Sequence, residues 1–151
     1  RSDDANVLRT MARLYDRMRD YDKAEQALRR ALAIEEADSE SWLNLGVVLI
    51  NKRQEGVAEQ ALSKAIKLDP KNAQALTALG WAQIELGKYA EAEDSLKQAL
   101  ALDASNALAR NNLGVLFERQ GRLDDARLEL EPALKLDPDL ELAQRNMERL
   151  K

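Results

Sequence analysis

Apolar residues run unbroken from Leu45 to Ile50, between Asn44 and Asn51, in a chain of which one-third of the residues carry charge. A helix that is apolar all round is buried all round, whereas a surface helix needs only one apolar stripe. The run must therefore serve more than one surface, and its place in a longer pattern says which. Small and large apolar positions recur at intervals of 34 residues. Ala12, Gly46, Gly80 and Gly114 form one column, Ala24, Ala58, Ala92 and Ala126 a second, and Ala31, Ala65, Ala99 and Ala133 a third. Leu28, Leu62, Leu96 and Leu130 form a fourth. Chance could supply one such column in an alanine-rich chain, but four in one register define an internal repeat.

With Ala5, Ser39, Ala73 and Ala107 as first residues, the units span about 5–38, 39–72, 73–106 and 107–138. Each predicts two helices: helix A over its first fourteen positions and helix B from the seventeenth to the thirty-first. The small columns let the two helices approach closely and the leucines fill the space between them. Gly87 and Gly121 stand where a helix ends and the chain reverses. Asp69-Pro70 and Asp137-Pro138 stop helices, since the residue before proline disfavours the α region. In the second unit Arg53 and Glu55 replace the glycine and aromatic expected there, which predicts a looser turn, and Pro132 inside the last B helix predicts a kink. Beyond Pro138, Leu140, Ala143, Met147 and Leu150 recur at spacings of three and four, defining one amphipathic helix over about 139–150 that caps the last unit.

Composition narrows the chemistry. Ala, Leu, Glu, Lys and Arg dominate, only 4% of residues are aromatic, and three prolines and six glycines leave little turn chemistry for strands, so the expectation is all-α. There is no histidine and no cysteine, which removes the commonest general base, the commonest metal ligand and all thiolate chemistry. Adjacent carboxylates such as Asp124-Asp125 point about 100° apart on a helix and sit in the first turn of a B helix, where the helix dipole favours them. No phosphate-binding loop, nucleophile elbow or calcium loop occurs. Neither a catalytic site, a cofactor nor a metal is expected, and the chain is not read as an enzyme. A net charge of −4 argues against nucleic acid as the partner, and no apolar run approaches the roughly 20 residues that insert into a membrane. Lack of cysteine is compatible with either redox compartment; a soluble cytoplasmic location is favoured over a periplasmic one. The chain begins with Arg1 rather than Met and is expected to be a piece of a longer or processed polypeptide.

The repeat resembles the tetratricopeptide repeat (TPR), whose unit reads W-x2-L-G-x2-Y, then A-x3-F, then P. The second unit supplies Trp42, Leu45, Gly46, Leu49, Ala58, Leu62 and Pro70, and the fourth Leu113, Gly114, Phe117, Ala126, Leu130 and Pro138. The third departs at Ala104 in place of proline, and the first is the loosest. The resemblance covers nearly the whole chain. It implies a right-handed α-solenoid of four helix-turn-helix units with the C-terminal cap, and a concave side lined by A helices. It also implies a groove formed by the second, fifth, sixth, ninth, twelfth and thirteenth positions of each A helix.

Members of this family that bind the acidic tails of heat-shock chaperones carry a carboxylate clamp. On the first three units the clamp positions hold Arg9, Arg13, Asn44, Gln74 and Ala78, which keep only Asn44; on the next three they hold Leu43, Val47, Ala78, Leu108 and Asn112, which keep none. A chaperone-tail clamp is not expected. The apolar positions carry more: Leu43, Val47, Ile50, Trp81, Ile84 and Val115 are expected to form a contiguous exposed patch, of the kind that marks interaction sites. Trp81 is the expected anchor. Asn44, Thr77, Asn111 and Asn112 are placed beside it as hydrogen-bonding groups, and Arg9 and Arg13 at one end as cations. The expected function is a scaffold that binds a partner protein's helix or extended peptide. The alternative is a structural module that stacks end to end into homo-oligomers or a longer array. Within the opening run, Leu45, Gly46, Val48 and Leu49 are assigned to packing between helices, and Val47 and Ile50 to the groove.

Overall fold

A computed structural model describes residues 4–151. Among them the chain forms α1 (Ala5–Arg17), α2 (Tyr21–Ile34), α3 (Ser39–Asn51), α4 (Glu55–Leu68), α5 (Ala73–Glu85), α6 (Tyr89–Leu102), α7 (Ala107–Arg119), α8 (Leu123–Leu136) and α9 (Glu141–Arg149). Each A helix packs on the B helix that follows it, and each B helix on the next A helix; α3 also touches α5, α5 touches α7, and α7 touches α9. The odd-numbered helices therefore line the inner side of a helical solenoid.

The small columns set the spacing within each pair. A Cβ built on Gly46, Gly80 or Gly114 would lie 2.4, 2.5 or 2.7 Å from the Cγ of Leu62, Leu96 or Leu130, each of which is wholly buried. Glycine is thus the residue that lets the A backbone rest on the leucine of its own B helix. Ala24, Ala58, Ala92 and Ala126 are equally inaccessible. Four A or B helices begin with a side-chain cap: Asp4, Asp20, Asn72 and Asn106 accept from the backbone N–H groups of Asn6, Lys23, Ala75 and Ala109 at 2.8, 3.2, 3.1 and 2.9 Å.

The turn after α3 is not loose. Arg53 adopts φ 62° where Gly87 and Gly121 adopt 75° and 74°, and Arg19 does the same at 60°. The closing bonds match: Gln54 N–H donates to Leu49 O at 2.9 Å, as Lys88 N–H does to Gln83 O at 2.8 Å. The tertiary register imposes the left-handed residue whatever its side chain, at a cost of about 1–2 kcal/mol for a non-glycine. Arg19→Gly is therefore expected to raise stability by about 0.5–1 kcal/mol after the extra freedom of the unfolded chain is deducted. Chemical denaturation measures this, and an unchanged or lowered midpoint would contradict it. Likewise α2 and α6 end in the same extended cap conformation, at Glu35 and Asp103, as α4 and α8 do before proline. At Pro132, α8 continues as one helix through Leu136. The proline removes a bond to the carbonyl of Leu128, an exposed residue that water can satisfy, while Leu130 and Ala133 on the opposite face keep their packing.

Successive units are also joined by a recurring ion pair. Glu25 of α2 accepts from Lys52 at 2.7 Å, Glu59 of α4 from Lys88 at 3.0 Å, and Glu93 of α6 lies 3.8 Å from Arg122. Hydrogen bonding to Lys52, and secondarily to Arg29, holds the Glu25 carboxyl below its ordinary value against the opposing effect of burial. A lowered folded-state value gives stability that is present above the unfolded carboxylate range and lost as pH falls through the folded one. Glu25→Gln is expected to melt below wild type at neutral pH, with the gap closing on acidification; a gap that persists at acid pH would remove the ionic explanation.

Candidate binding groove

Helices α3, α5, α7 and α9 and the turn before α7 enclose an open cavity of about 1060 Å³. Leu43, Asn44, Val47 and Ile50 come from α3, Thr77 and Trp81 from α5, and Asn111, Asn112 and Val115 from α7, so nine of the sequence-predicted residues meet in one place. Leu108, Leu142, Asn146 and Arg149 join them. All four stand at groove positions of the repeat and were legible in the same way; Asp103 and Asn106, which also line the cavity, come from an inter-unit turn to which the helix pattern gives no role.

The contiguous exposed patch is not found as expected. Ile84 does not line the cavity; it is 1% exposed and belongs to the core with Leu96, Leu116 and Phe117. Its counterpart Ile50 stays half-buried at the cavity wall, so the twelfth position is not equivalent from unit to unit. Leu43 and Val115 line the cavity but are themselves buried, at 7% and 6% exposed. The accessible apolar surface comes instead from Val47, Leu108 and Leu142, at 37%, 42% and 46%, with Trp81 half-buried between the first two.

The polar groups of the floor largely satisfy each other. Asn146 Nδ2 donates to Asn111 Oδ1 at 2.7 Å, and Asn111 Nδ2 donates to Asn112 Oδ1 at 3.2 Å. Asn106 Nδ2 donates to Thr77 Oγ1 at 2.9 Å, and that hydroxyl donates to Ala73 O at 2.8 Å. The buried Asn146–Asn111 bond ties α9 to α7, and the part-buried Asn106–Thr77 bond ties the start of α7 to α5. Asn44, half-buried, lines the edge of this cavity and of the smaller one beside Arg9 and Arg13.

The rim cations are paired. Arg149 makes a two-point contact with Glu118 at 2.8 and 3.1 Å, and hydrogen bonding to Glu118 raises the guanidinium further above its ordinary value. Arg119 pairs with Glu85, which Arg53 also reaches at 3.1 Å, and lies 5.8 Å from the Trp81 ring centroid. Arg9 and Arg13 border a separate cavity of about 330 Å³ with Asn6, Thr10, Glu35, Asp38, Glu40 and Asn44. Arg9 is engaged there by Glu35 at 2.7 Å and Asp38 at 2.9 Å, chiefly the former bond raising its value, so the expected free cation is already neutralised. Arg13 is exposed. The lined groove is thus apolar and amide-rich, with its charges cancelled at the edges.

A solenoid of paired helices with a concave cavity belongs to the class of helical-repeat interaction proteins. A tetratricopeptide repeat profile matches residues 9–73 and 77–141, and a second tetratricopeptide repeat profile matches 53–97, so the chain belongs to the tetratricopeptide repeat family, generally a non-catalytic interaction fold. No curated protein matches the chain. Among solved structures it is similar to TTC0263, a thermophilic TPR protein of Thermus thermophilus, at 27% identity and TM-score 0.84, over 97% of this chain and 81% of that one. It is similar in fold to YrrB, a TPR protein with an unusual peptide-binding site, at 23% identity and TM-score 0.80, over 95% of this chain and 74% of that one. The first TPR of Spaghetti (RPAP3), bound to the HSP90 peptide SRMEEVD, shares the fold at 22% identity and TM-score 0.75, over 80% of this chain and 96% of that one. No helix among the described residues is long and apolar enough to cross a membrane.

Proposed function

We propose that the chain is a non-catalytic scaffold that holds a partner protein's helix or extended segment in the concave groove, through apolar side chains seated on Val47, Trp81, Leu108 and Leu142. The observation that carries this reading is accessible apolar surface lining a cavity of about 1060 Å³ whose rim cations are already paired. Burying Trp81 and the three aliphatic side chains contributes about 1.5–3 kcal/mol each before association costs, and a micromolar complex requires about 8 kcal/mol net. Hydrogen bonds between the Asn44 side-chain amide and the partner's backbone add about 0.5–1.5 kcal/mol each.

Peptide binding by relatives of this fold supports the reading, but the ligand class differs. The relative bound to SRMEEVD holds an acidic peptide. Here Asn44 alone remains of the clamp pattern and Arg9 is occupied by Glu35 and Asp38, so the favoured partner carries apolar or amphipathic residues rather than a run of carboxylates. Selection from a displayed random-peptide library, followed by amide chemical-shift mapping of a selected peptide, tests this. Perturbations are expected at Val47, Trp81, Leu108 and Leu142; perturbations confined to the B helices, or enrichment of acidic sequences alone, would overturn it.

A further inference from the structure

At the twelfth position of α7 stands Glu118, whose cation is Arg149, at the ninth position of the next inner helix and 2.8 Å away. In α1 the twelfth position holds Asp16, but the ninth position of the next inner helix, where a cation would complete the pair, holds Val47. Asp16 is half-buried, and one of its carboxylate oxygens is shut off from solvent and accepts no hydrogen bond. Arg13, three residues earlier on α1, is exposed and makes no ion pair among the described residues. A cavity of about 60 Å³ lies there, walled by Ala12, Leu28 and Val48, with Arg13, Asp16 and Asn44 as its polar groups. Val47 lines both this cavity and the groove, and Asn44 lines these two and the cavity beside Arg9, so the three spaces adjoin. Around the two smaller ones the carboxylates of Asp16, Glu35, Asp38 and Glu40 outnumber the guanidiniums of Arg9 and Arg13.

We propose that Asp16 and Asn44 form a site for a primary ammonium, which on a bound partner is the end of a lysine side chain. The repeat itself supplies the template: Glu118 has its cation from the neighbouring helix, and Asp16 has a valine in that place. A carboxylate with one oxygen already deprived of water gains more from a cationic donor than a fully solvated one does. The excess of carboxylates sets the sign of the ligand, and the side-chain oxygen of Asn44 offers a second acceptor. Lysine suits the place better than arginine. A guanidinium binds best to both oxygens of a carboxylate at once, which the closed oxygen of Asp16 prevents, whereas a compact ammonium needs one. Its apolar stem would cross Val47, which is 37% exposed, on the way from the groove. The placing of that lysine on a bound segment rests on the groove reading above; the ammonium site itself does not.

Titration with n-butylammonium chloride, a stand-in for the lysine side chain, followed by amide chemical shifts, tests the site, with n-butanol in equimolar sodium chloride as control. Saturable shifts are expected at Asp16, Asn44 and Val47 with the amine and not with the alcohol, and are expected to vanish in Asp16→Asn. An equal response from that variant, or from the alcohol, overturns the site. A second arm reads groove-selected peptides. Lysine is expected at one fixed position, and its replacement by norleucine to weaken binding by about tenfold in wild type and by less than about twofold in Asp16→Asn. Peptides that bind at Val47, Trp81 and Leu108 without that coupling overturn the lysine site and leave the groove standing, whereas a saturable amine site in a chain that selects no groove peptide overturns the groove alone. Arg13→Gln removes the neighbouring cation and is expected to tighten lysine-bearing peptides; weaker binding would overturn the ammonium in favour of a carboxylate.

Discussion

Leu96→Ala is expected to lower the unfolding free energy by about 3 kcal/mol, within the range found when wholly buried leucines are truncated. The magnitude follows from the site. Leu96 is inaccessible to solvent and lies directly under Gly80, whose missing side chain already brings α5 to its closest approach to α6. Truncation leaves a void that the neighbours fill poorly: glycine has no side chain to swing into it, and Ala92 and Ala99 on the same face are themselves packed. The position is central, with two helix pairs on one side and a pair plus α9 on the other. Because repeat stability is carried by nearest-neighbour contacts, weakening this pair also loosens the coupling between the two ends of the array. In urea the midpoint is expected to fall with little change in slope. A loss below about 1 kcal/mol would show that the pair relaxes around the void, against the packing argument. The converse substitution is a check on sign. Gly80→Ala gains helix propensity worth up to about 1 kcal/mol but sets a Cβ 2.5 Å from the Cγ of the wholly buried Leu96, an overpacking that costs about 1–3 kcal/mol, so it too is expected to destabilise, by less than Leu96→Ala.

What the sequence revealed, and what it hid, separates along the same line. Columns of Gly, Ala and Leu at a fixed interval report contacts made in every unit, so helix pairs, their order and most groove-lining positions could be read from the chain. Properties that depend on one particular neighbour could not. Ile50 and Ile84 share the twelfth position, yet only Ile84 is sealed into the core. Arg9 reads as a free cation until the fold brings Glu35 and Asp38, 26 and 29 residues on, within hydrogen-bonding distance. Arg53 reads as a broken turn because glycine is the residue that suits a positive φ, but the helices on either side hold the backbone there regardless.

Trp81→Ala is expected to weaken capture of a groove-selected peptide by roughly 30- to 100-fold, or about 2–3 kcal/mol, as for the aromatic anchors that dominate interfaces. Trp81 stands at the ninth position of α5, halfway along the cavity, between accessible Val47 on α3 and accessible Leu108 on α7. An apolar segment crossing the groove must pass over it, and the Arg119 guanidinium lying against the ring through its pairing with Glu85 limits the ring's freedom before binding. The effect on folding must be kept apart, since Trp81 also packs against the core and its loss costs some stability. Val47→Asp separates the two: Val47 is 37% exposed and belongs to no core cluster, so a carboxylate there leaves the fold intact while placing an unpaired charge against the ligand. Isothermal titration of both variants, with thermal melts alongside, decides the matter. If both bind as wild type does, the concave surface is not the binding site; if only Trp81→Ala weakens binding, and in proportion to its lost stability, the tryptophan is a packing residue and the anchor lies elsewhere along the groove.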